Sequence, residues 1–122
     1  MSWTYEQSTG VIRDLHGVTA GVGYSGRGAC KNAPHAQAVP GEGPIPRGLW
    51  DILGPPLELP GLGPYVLRLE PYIETKTFAR DAFVIRGEDA RPEFPANDFI
   101  VLPLVVRREI WESNDHILEV VA

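Results

Sequence analysis

The chain has 122 residues, of which 43% are hydrophobic and 22% charged, a composition that excludes a disordered protein. Its formal net charge of -5 argues against a nucleic-acid-binding protein, because neutralising phosphates requires clustered Lys and Arg side chains. No apolar run approaches the roughly 20 residues of a membrane-spanning helix. We therefore expect one globular domain, residues 1–122, with a hydrophobic core of its own.

The N-terminal segment and the cysteine content limit where the protein acts and which chemistry it uses. The segment MSWTYEQSTG lacks the basic and apolar regions of a signal peptide, so we expect synthesis in the cytoplasm and, for any action elsewhere, a dedicated export machine. Cys30 is the only cysteine, which excludes an internal disulfide and a thiolate metal site. The sequence contains neither H-x-x-x-H nor H-E-x-x-H, and we predict no metal and no cofactor.

Residues 2–22 are predicted to form a β-meander. Trp3 and Tyr5 alternate with polar residues, and the pairs Thr9-Gly10 and His16-Gly17 mark turns. We expect His16, at the tip of the second turn, to be exposed to solvent.

Residues 21–34 contain four glycines between Gly21 and Gly28. Their spacing matches neither G-x-x-x-x-G-K-[ST] nor a G-x-G-x-x-G that opens a helix, so phosphate binding is not predicted. The pattern favours a closely packed surface loop, with Tyr24, Lys31 and Asn32 available to line a groove.

The middle of the chain predicts two strands that are separated by a loop. Residues 49–53 form the first strand, the proline-rich residues 54–64 loop back, and residues 65–69 alternate as the second strand. Residues 72–81 show no clear pattern and are predicted to be a loop with a helical turn.

Residues 83–103, FVIRGEDARPEFPANDFIVLP, are predicted to form a groove. An apolar run delivers Arg86-Gly87-Glu88-Asp89, a loop broken by prolines follows, and a second apolar run begins at Phe99. Two strand ends joined by a loop form such a groove. The stretch has no Cys, His, Ser or Thr, so it lacks a nucleophile and a base of the usual kinds.

The C-terminal segment predicts one helix and one strand. Pro103 suits the first turn of a helix over residues 104–112, with Leu104, Val105, Trp111 and the stem of Arg108 on its apolar face. The pair Arg107-Arg108 is assigned to the solvated side. Residues 116–121 alternate as a last strand, giving seven or eight strands and one helix, a mainly β fold.

Five motifs, in chain order, resemble the L,D-transpeptidase-like effectors of bacterial type VI secretion systems. They are Y-S-G-x-G-x-x-K-N (24–32), G-P-I-P-x-G-x-W-x-I (43–52), G-P-Y-V-L-R-L (63–69), F-x-I-x-G-(E/D) (83–88) and I-V-x-P-x-x-x-R-x-x-I (100–110). The resemblance implies a single β-sandwich or barrel domain with one packed helix near the C-terminus. It also implies action on the tetrapeptide stems of peptidoglycan, by carboxypeptidase cleavage or by exchange of the terminal D-amino acid.

The same resemblance implies how the protein travels and what it meets. Members of the family are secreted by a type VI system into the periplasm of a target cell. An immunity protein and the secretion apparatus are therefore expected partners, besides a peptidoglycan fragment or another small ligand.

The resemblance places the family's catalytic motifs on residues that cannot perform its chemistry. The motif H-G-D falls on Arg86-Gly87-Glu88, and the motif S-H-G-C falls on Ala96-Asn97-Asp98-Phe99. Arg86 stays protonated and cannot act as a base, and Phe99 has no nucleophilic atom. We therefore predict that the chain is not an active L,D-transpeptidase and has no catalytic residues of that kind.

What remains is a predicted ligand-binding groove. Arg86 is expected to bind a stem-peptide carboxylate with two parallel hydrogen bonds. A salt bridge from Arg86 to Glu88 or Asp89 is an open alternative, and both can hold at once. The predicted groove residues are Tyr24, Arg86, Glu88, Asn97, Asp98 and Phe99.

Two other functions remain open on the sequence. The chain is an active antibacterial toxin if another group replaces the family's cysteine: either Cys30, or a pair of carboxylates that act as acid and base. The candidate carboxylates are Glu88, Asp89, Glu93 and Asp98. Alternatively, the domain is a protein-interaction module that uses its prolines and exposed aromatic residues such as Trp50 and Phe94.

Overall fold

The computed structural model describes residues 2–59, 61–88 and 98–122. The described residues form nine strands, one α-helix and two short 3-10 helices. The strands are β1 (Trp3–Glu6), β2 (Val11–Arg13), β3 (Thr19–Val22), β4 (Tyr24–Ser25), β5 (Gly48–Leu59), β6 (Gly63–Pro71), β7 (Phe83–Arg86), β8 (Asp98–Val101) and β9 (Ile117–Val121). The helix α1 is Leu104–Glu112, and the 3-10 helices are Gly28–Cys30 and Pro34–Ala36.

All nine strands belong to one sheet, in the order β3-β2-β1-β9-β5-β6-β7-β8-β4. Two neighbouring pairs, β1 with β9 and β7 with β8, are parallel. The other pairs are antiparallel. The predicted mainly β fold with one helix near the C-terminus is therefore confirmed.

One extended segment closes this sheet into a barrel. β3 and β4 stand at the two ends of the strand order, yet only Gly23 separates them in the chain. β3 pairs with β2, and β4 pairs with β8. Because a continuous segment hydrogen-bonds to both ends of the sheet, the sheet must curl round until its ends meet.

Two glycines allow the ends of the sheet to meet closely, and we call this place the seam. The Gly23 amide donates to the Gly10 carbonyl at 2.8 Å. A Cβ on Gly10 would overlap the Gly23 carbonyl oxygen, and a Cβ on Gly23 would overlap the Val101 carbonyl oxygen. The seam therefore requires glycine at both positions in this backbone.

Two apolar clusters lie on opposite faces of the sheet. The inner cluster lies on the face that α1 covers and includes Trp3, Tyr5, Ile12, Trp50, Ile52, Leu67, Ile85, Ile100, Leu102, Val106, Ile110 and Leu118. The outer cluster consists of Leu62, Val66, Val84, Phe99 and Val101, with Tyr24 and Leu59 against it. Side chains alternate between the two clusters along β6, β7 and β8, as a period of two residues requires.

The middle of the chain differs from the prediction. β5 does not end at residue 53 but continues to Leu59, so residues 54–59 are strand and not loop. Register shifts between Leu53 and Leu59 accommodate the prolines, which interrupt a regular ladder.

Trp50 points into the inner cluster and is fully buried, so the prediction of an exposed Trp50 is wrong. His16 is exposed, as predicted.

The helix has the predicted bounds but a different buried face. Val106, Arg107 and Ile110 are buried, whereas Leu104 and Val105 are 38% and 72% exposed. Because residues 104–106 are all apolar, the sequence is compatible with two rotations of the helix about its axis. Packing selects the rotation in which Val106 meets Gly21 of β3. The prediction that Arg107 is solvated is wrong.

None of the helices in the described ranges has the length and apolar character that crossing a membrane requires.

The seam makes a direct stability prediction. Gly23→Ala should lower the free energy of unfolding by about 3 kcal/mol or more, since its Cβ meets backbone that cannot move aside without breaking the ladder. Gly17→Ala is the control, because a Cβ there meets open space and incurs only the cost of a left-handed backbone, roughly 1–2 kcal/mol. Urea unfolding of both variants measures the difference. Equal losses would contradict the proposed tightness of the seam.

Tyr5 supplies a second prediction, because its hydroxyl is buried without a hydrogen-bond partner among the described residues. Burial raises the pKa of Tyr5 above its ordinary value of 10.0. The folded protein therefore holds this proton more tightly than the unfolded chain does. The stability that depends on a protonated Tyr5 is therefore fully present below about pH 10, and it is lost as the pH rises above that value.

Tyr5→Phe should leave the free energy of unfolding unchanged at neutral pH, or raise it by about 1–3 kcal/mol, because it removes an unsatisfied buried hydroxyl. Above about pH 10 the wild type should lose stability relative to the variant. Urea unfolding at neutral pH and at about pH 11 tests both points. A clear loss of stability in the variant at neutral pH would mean that the hydroxyl is hydrogen-bonded.

Candidate functional site

The candidate site forms where the parallel strands β7 and β8 end beside β4. In the register of these strands Val84 is opposite Phe99, and Arg86 is opposite Val101. On the other side of β8, Tyr24 is opposite Val101. Tyr24, Arg86 and Phe99 therefore project from the same outer face of three adjacent strands, as cross-strand neighbours do.

The Phe99 ring is the centre of this arrangement. The guanidinium carbon of Arg86 lies 3.9 Å from the ring centroid, and that of Arg27 lies 5.1 Å from it. The Tyr24 ring meets Phe99 edge to face, with centroids 6.3 Å apart. Each cation–π contact contributes about 0.5–2 kcal/mol, so the ring both buries apolar surface and orients two arginines.

Tyr24 contacts both the Phe99 ring and the Glu88 carboxylate. The ammonium of Lys31 lies 4.0 Å from the Tyr24 ring centroid. Burial raises the pKa of Tyr24 above its ordinary value; its hydrogen bond to Glu88 and the charge of Glu88 raise it further, while Arg86 lowers it. Tyr24 is therefore neutral at physiological pH and donates its hydroxyl proton to the Glu88 carboxylate.

A pocket of about 540 Å³ opens next to Tyr24 and Glu88. Its wall runs from the seam across the ends of β7 and β8 to the first turn of α1 and is mainly apolar. The lining residues are Val22, Gly23, Tyr24, Pro64, Gly87, Glu88, Val101, Leu102, Pro103, Leu104 and Arg107. The volume lies within the range of about 300–1,000 Å³ that is usual for small-molecule sites.

Arg107 places a guanidinium in this apolar wall. The side chain is 4% exposed, and its Nε donates to the Leu102 carbonyl at 3.1 Å. Its Nη1 donates to the carbonyls of Pro64 at 2.7 Å and Tyr65 at 3.1 Å. Arg107 therefore ties α1 to β6 and to the end of β8, and it brings positive charge to the pocket.

Asp98 lies outside the pocket, although it is adjacent to Phe99 in the chain. Strand alternation directs it to the side of Ile100, away from Phe99. There its carboxylate forms an ion pair with Arg80, with Nη2 and Oδ1 3.0 Å apart. Arg80 also donates to the carbonyls of Gln37, Gly43 and Pro44, so this buried pair anchors the loop before β5 to β8.

The structure brings together four of the six predicted groove residues. Tyr24 and Glu88 line the pocket, and Arg86 and Phe99 adjoin it through Tyr24. Asp98 pairs with Arg80 instead, and Asn97 lies outside the described residues. Arg86 also donates from Nη1 to the Gly87 carbonyl at 2.8 Å, which restricts the direction of its guanidinium.

Sequence reasoning missed three arginines of this region. Arg107 could have been found from the spacing of Val106 and Ile110 after Pro103, which defines the alternative helical phase. Arg27 lies in the glycine-rich loop beside Lys31, but nothing in that loop predicts contact with Phe99. Arg80 lies in a stretch without periodicity, and we find no sequence signal for its burial.

The alternative catalytic groups that the sequence offered lie in different places in the described structure. Cys30 lies in a 3-10 helix and not among the pocket-lining residues. Glu88 lines the pocket while Asp98 is paired with Arg80, and the other members of the predicted acidic set, Asp89 and Glu93, lie outside the described residues. Within the described ranges, no group of three or more His, Cys, Asp or Glu side chains is arranged to hold a metal ion.

The buried ion pair makes a stability prediction. Arg80→Ala should lower the free energy of unfolding by about 3–5 kcal/mol, because it removes the partner of the Asp98 charge and the donor to three loop carbonyls. Asp98→Asn keeps the shape and one acceptor, so we expect a smaller loss, and the double variant should be less destabilised than the sum of the two. Urea unfolding of all three measures this. Additive losses would mean that Arg80 acts only through the loop carbonyls.

Comparison with known proteins adds no relative. The sequence matches no protein-family model and no curated protein sequence. The structure matches no solved structure. The resemblance to L,D-transpeptidase-like effectors therefore stays a prediction, and the function is inferred from the geometry of the site.

Proposed function

We propose that the chain is a binding domain built on an L,D-transpeptidase-like scaffold without the cysteine chemistry of that family. Its ligand is a peptidoglycan stem peptide, which Arg86 holds by the terminal carboxylate. Secretion by a type VI system into the periplasm of a target cell would bring the domain to this ligand.

One observation carries this proposal. Arg86 and Phe99 occupy the positions where the resemblance puts the family's base and nucleophile, and they are in direct contact beside the pocket, 3.9 Å from guanidinium carbon to ring centroid. The two residues lie on adjacent parallel strands as diagonal neighbours, with Arg86 opposite Val101 and Phe99 opposite Val84, so their side chains meet on one face of the sheet. With Arg and Phe in these positions, the same place supplies a stacked cation instead of a nucleophile and its base.

The geometry favours a carboxylate ligand. Stacking on Phe99 and the hydrogen bond to the Gly87 carbonyl restrict the Arg86 side chain, so less conformational entropy is lost when a ligand binds. A planar guanidinium matches a carboxylate in geometry and charge. The apolar pocket beside it accommodates the hydrocarbon part of a peptide, while Tyr24 and Glu88 offer polar contacts at its wall.

A protein partner is the second candidate, and exposed apolar residues favour it. Val22 and Leu104 line the pocket and are 58% and 38% exposed, and Val105 follows Leu104 on the surface. An immunity protein that covers these side chains would compete with the peptide for the pocket. A stable complex that Val22→Asp abolishes would support this candidate, whereas a complex insensitive to that change would place the interface elsewhere.

The stem-peptide proposal is tested with disaccharide tetrapeptide by calorimetry and mass spectrometry. We expect binding with the terminal D-amino acid retained. Arg86→Ala should weaken binding about 10- to 100-fold, the contribution of a charge-assisted hydrogen-bonded pair. Arg108→Ala is the matched control, because it removes the same charge from an exposed position on α1 and should not change the affinity.

A ligand whose terminal carboxylate is amidated makes this test specific. Amidation should weaken binding to the wild type by the same factor as Arg86→Ala does, and it should not weaken binding to the Arg86→Ala variant further. If amidation and Arg86→Ala act independently, Arg86 contacts another part of the ligand. Release or exchange of the terminal D-amino acid would contradict the binding-domain proposal altogether.

A further inference from the structure

The last residue of β3, Val22, brings an edge of the sheet to the pocket. β3 stands at one end of the strand order and pairs with β2. Val22 and Gly23 both line the pocket, and the Val22 side chain is 58% exposed. The stem-peptide proposal uses the side chains of the pocket wall and gives the main chain at this edge no role.

The direction of the Val22 main chain follows from the ladder between β2 and β3. Val22 is opposite Val11, and the Gly23 amide donates to the Gly10 carbonyl at 2.8 Å. This bond makes Val11 and Val22 a non-hydrogen-bonded pair of an antiparallel ladder. The N–H and C=O of Val22 therefore both point away from β2, toward the other edge of the strand.

Pro103 prevents β8 from pairing with this edge. Tyr24 is opposite Val101 on β8, so the same antiparallel register, continued by two residues, would put Pro103 opposite Val22. Proline has no amide hydrogen to donate to the Val22 carbonyl. The Pro103 carbonyl accepts instead from two amides of the first turns of α1, at 3.1 Å each. Pro103 thus ends the ladder and starts the helix one pair too early for Val22.

Within residues 2–59, 61–88 and 98–122, the N–H and C=O of Val22 consequently have no hydrogen-bond partner. An unpaired donor and acceptor on one strand residue form a template for another extended chain. One residue of such a chain satisfies both groups at once, by donating its N–H and accepting with its C=O. Because cross-strand neighbours share a face, its side chain would lie beside Val22, against the apolar wall of the pocket.

We propose that Val22 binds the main chain of a peptide ligand through these two hydrogen bonds, as a short antiparallel strand added to the edge of β3. The bound segment takes the course that β8 would follow if it continued past Pro103. The inference deepens the proposed function and rests on it in taking the ligand to be a peptide. It adds a main-chain contact that does not involve Arg86.

The tripeptide acetyl-Ala-Leu-Ala-amide tests the inference, because both of its ends are capped and it has no carboxylate for Arg86. Binding is followed by NMR at millimolar peptide, together with solvent exchange of the backbone amides. We expect exchange of the Val22 amide to slow by about 5-fold or more at saturation, since it becomes hydrogen-bonded. The Gly23 amide, which already donates to the Gly10 carbonyl, is the internal control and should not change.

N-methylated peptides then test the pairing from the ligand side. Methylation of the leucine nitrogen removes the donor to the Val22 carbonyl and should weaken binding about 2- to 10-fold, the contribution of one neutral hydrogen bond. Methylation of the following alanine nitrogen is the matched control, because that N–H points to the opposite edge of the bound strand. Equal weakening by the two methyl groups would contradict the pairing.

Variants test the pairing from the side of the protein. Val22→Pro removes the N–H that faces the ligand, and the fold should persist, because proline is accepted where the N–H of a strand faces an open edge. Val22→Ala is the matched control, since it shortens the same side chain and keeps the N–H. We expect Val22→Pro to bind the tripeptide about 2- to 10-fold more weakly than Val22→Ala does. Equal affinities would contradict the proposal; if Val22→Pro does not fold, the measurements on the wild type decide.

The outcome is separable from that of the muropeptide experiment. If the tripeptide slows exchange at Val22 and the muropeptide does not bind, the main-chain site stands and the ligand is another peptide. If the muropeptide binds through Arg86 and neither ligand slows exchange at Val22, the stem-peptide proposal stands and this inference fails. It fails equally if neither ligand binds.

Discussion

The structure depends on one constraint, which is that a single extended segment pairs with both ends of the sheet. Gly23 is the residue at which this segment passes from β2 to β8, and the close packing of Gly10, Gly23 and the Val101 carbonyl leaves no room for a side chain. Closure of the barrel brings Tyr24 next to β8. Without it, β3 and β4 could not both pair with the sheet, and Tyr24 with the glycine-rich loop after it would not be held beside Phe99 while Val22 and Gly23 complete the wall of the pocket.

Strand alternation in β8 separates a residue that anchors a loop from a residue of the candidate site. Alternation sends Asp98 to Arg80, where the buried pair fastens the loop before β5. It sends Phe99 to the opposite face, where the ring carries Arg86 and Arg27 and contacts Tyr24. Two residues that are adjacent in sequence therefore have separate surroundings, and only Phe99 belongs to the candidate site.

The sequence predicts the fold class, the helix and much of the site, because these follow from local patterns. Alternation marks most strands, and the apolar runs on either side of residues 89–97 predict the strands that carry Arg86 and Phe99. The expectation that the two strand ends meet is wrong, because β7 and β8 are parallel and Phe99 is opposite Val84, two residues before Arg86. Long-range packing decides the rest. The extension of β5 past two prolines, the phase of α1 that buries Arg107 and the burial of Arg80 depend on contacts with distant segments, which no local period reports.

The central claim is that Arg86, where a catalytic base would stand on an L,D-transpeptidase-like scaffold, serves to hold a carboxylate. A crystal structure of the protein grown with a stem tetrapeptide tests it most directly. The account predicts an intact peptide whose terminal carboxylate is hydrogen-bonded to the Arg86 guanidinium and whose body lies in the pocket beside Tyr24. A peptide bound away from Arg86, or one that has been cleaved or attached covalently to the protein, would contradict it.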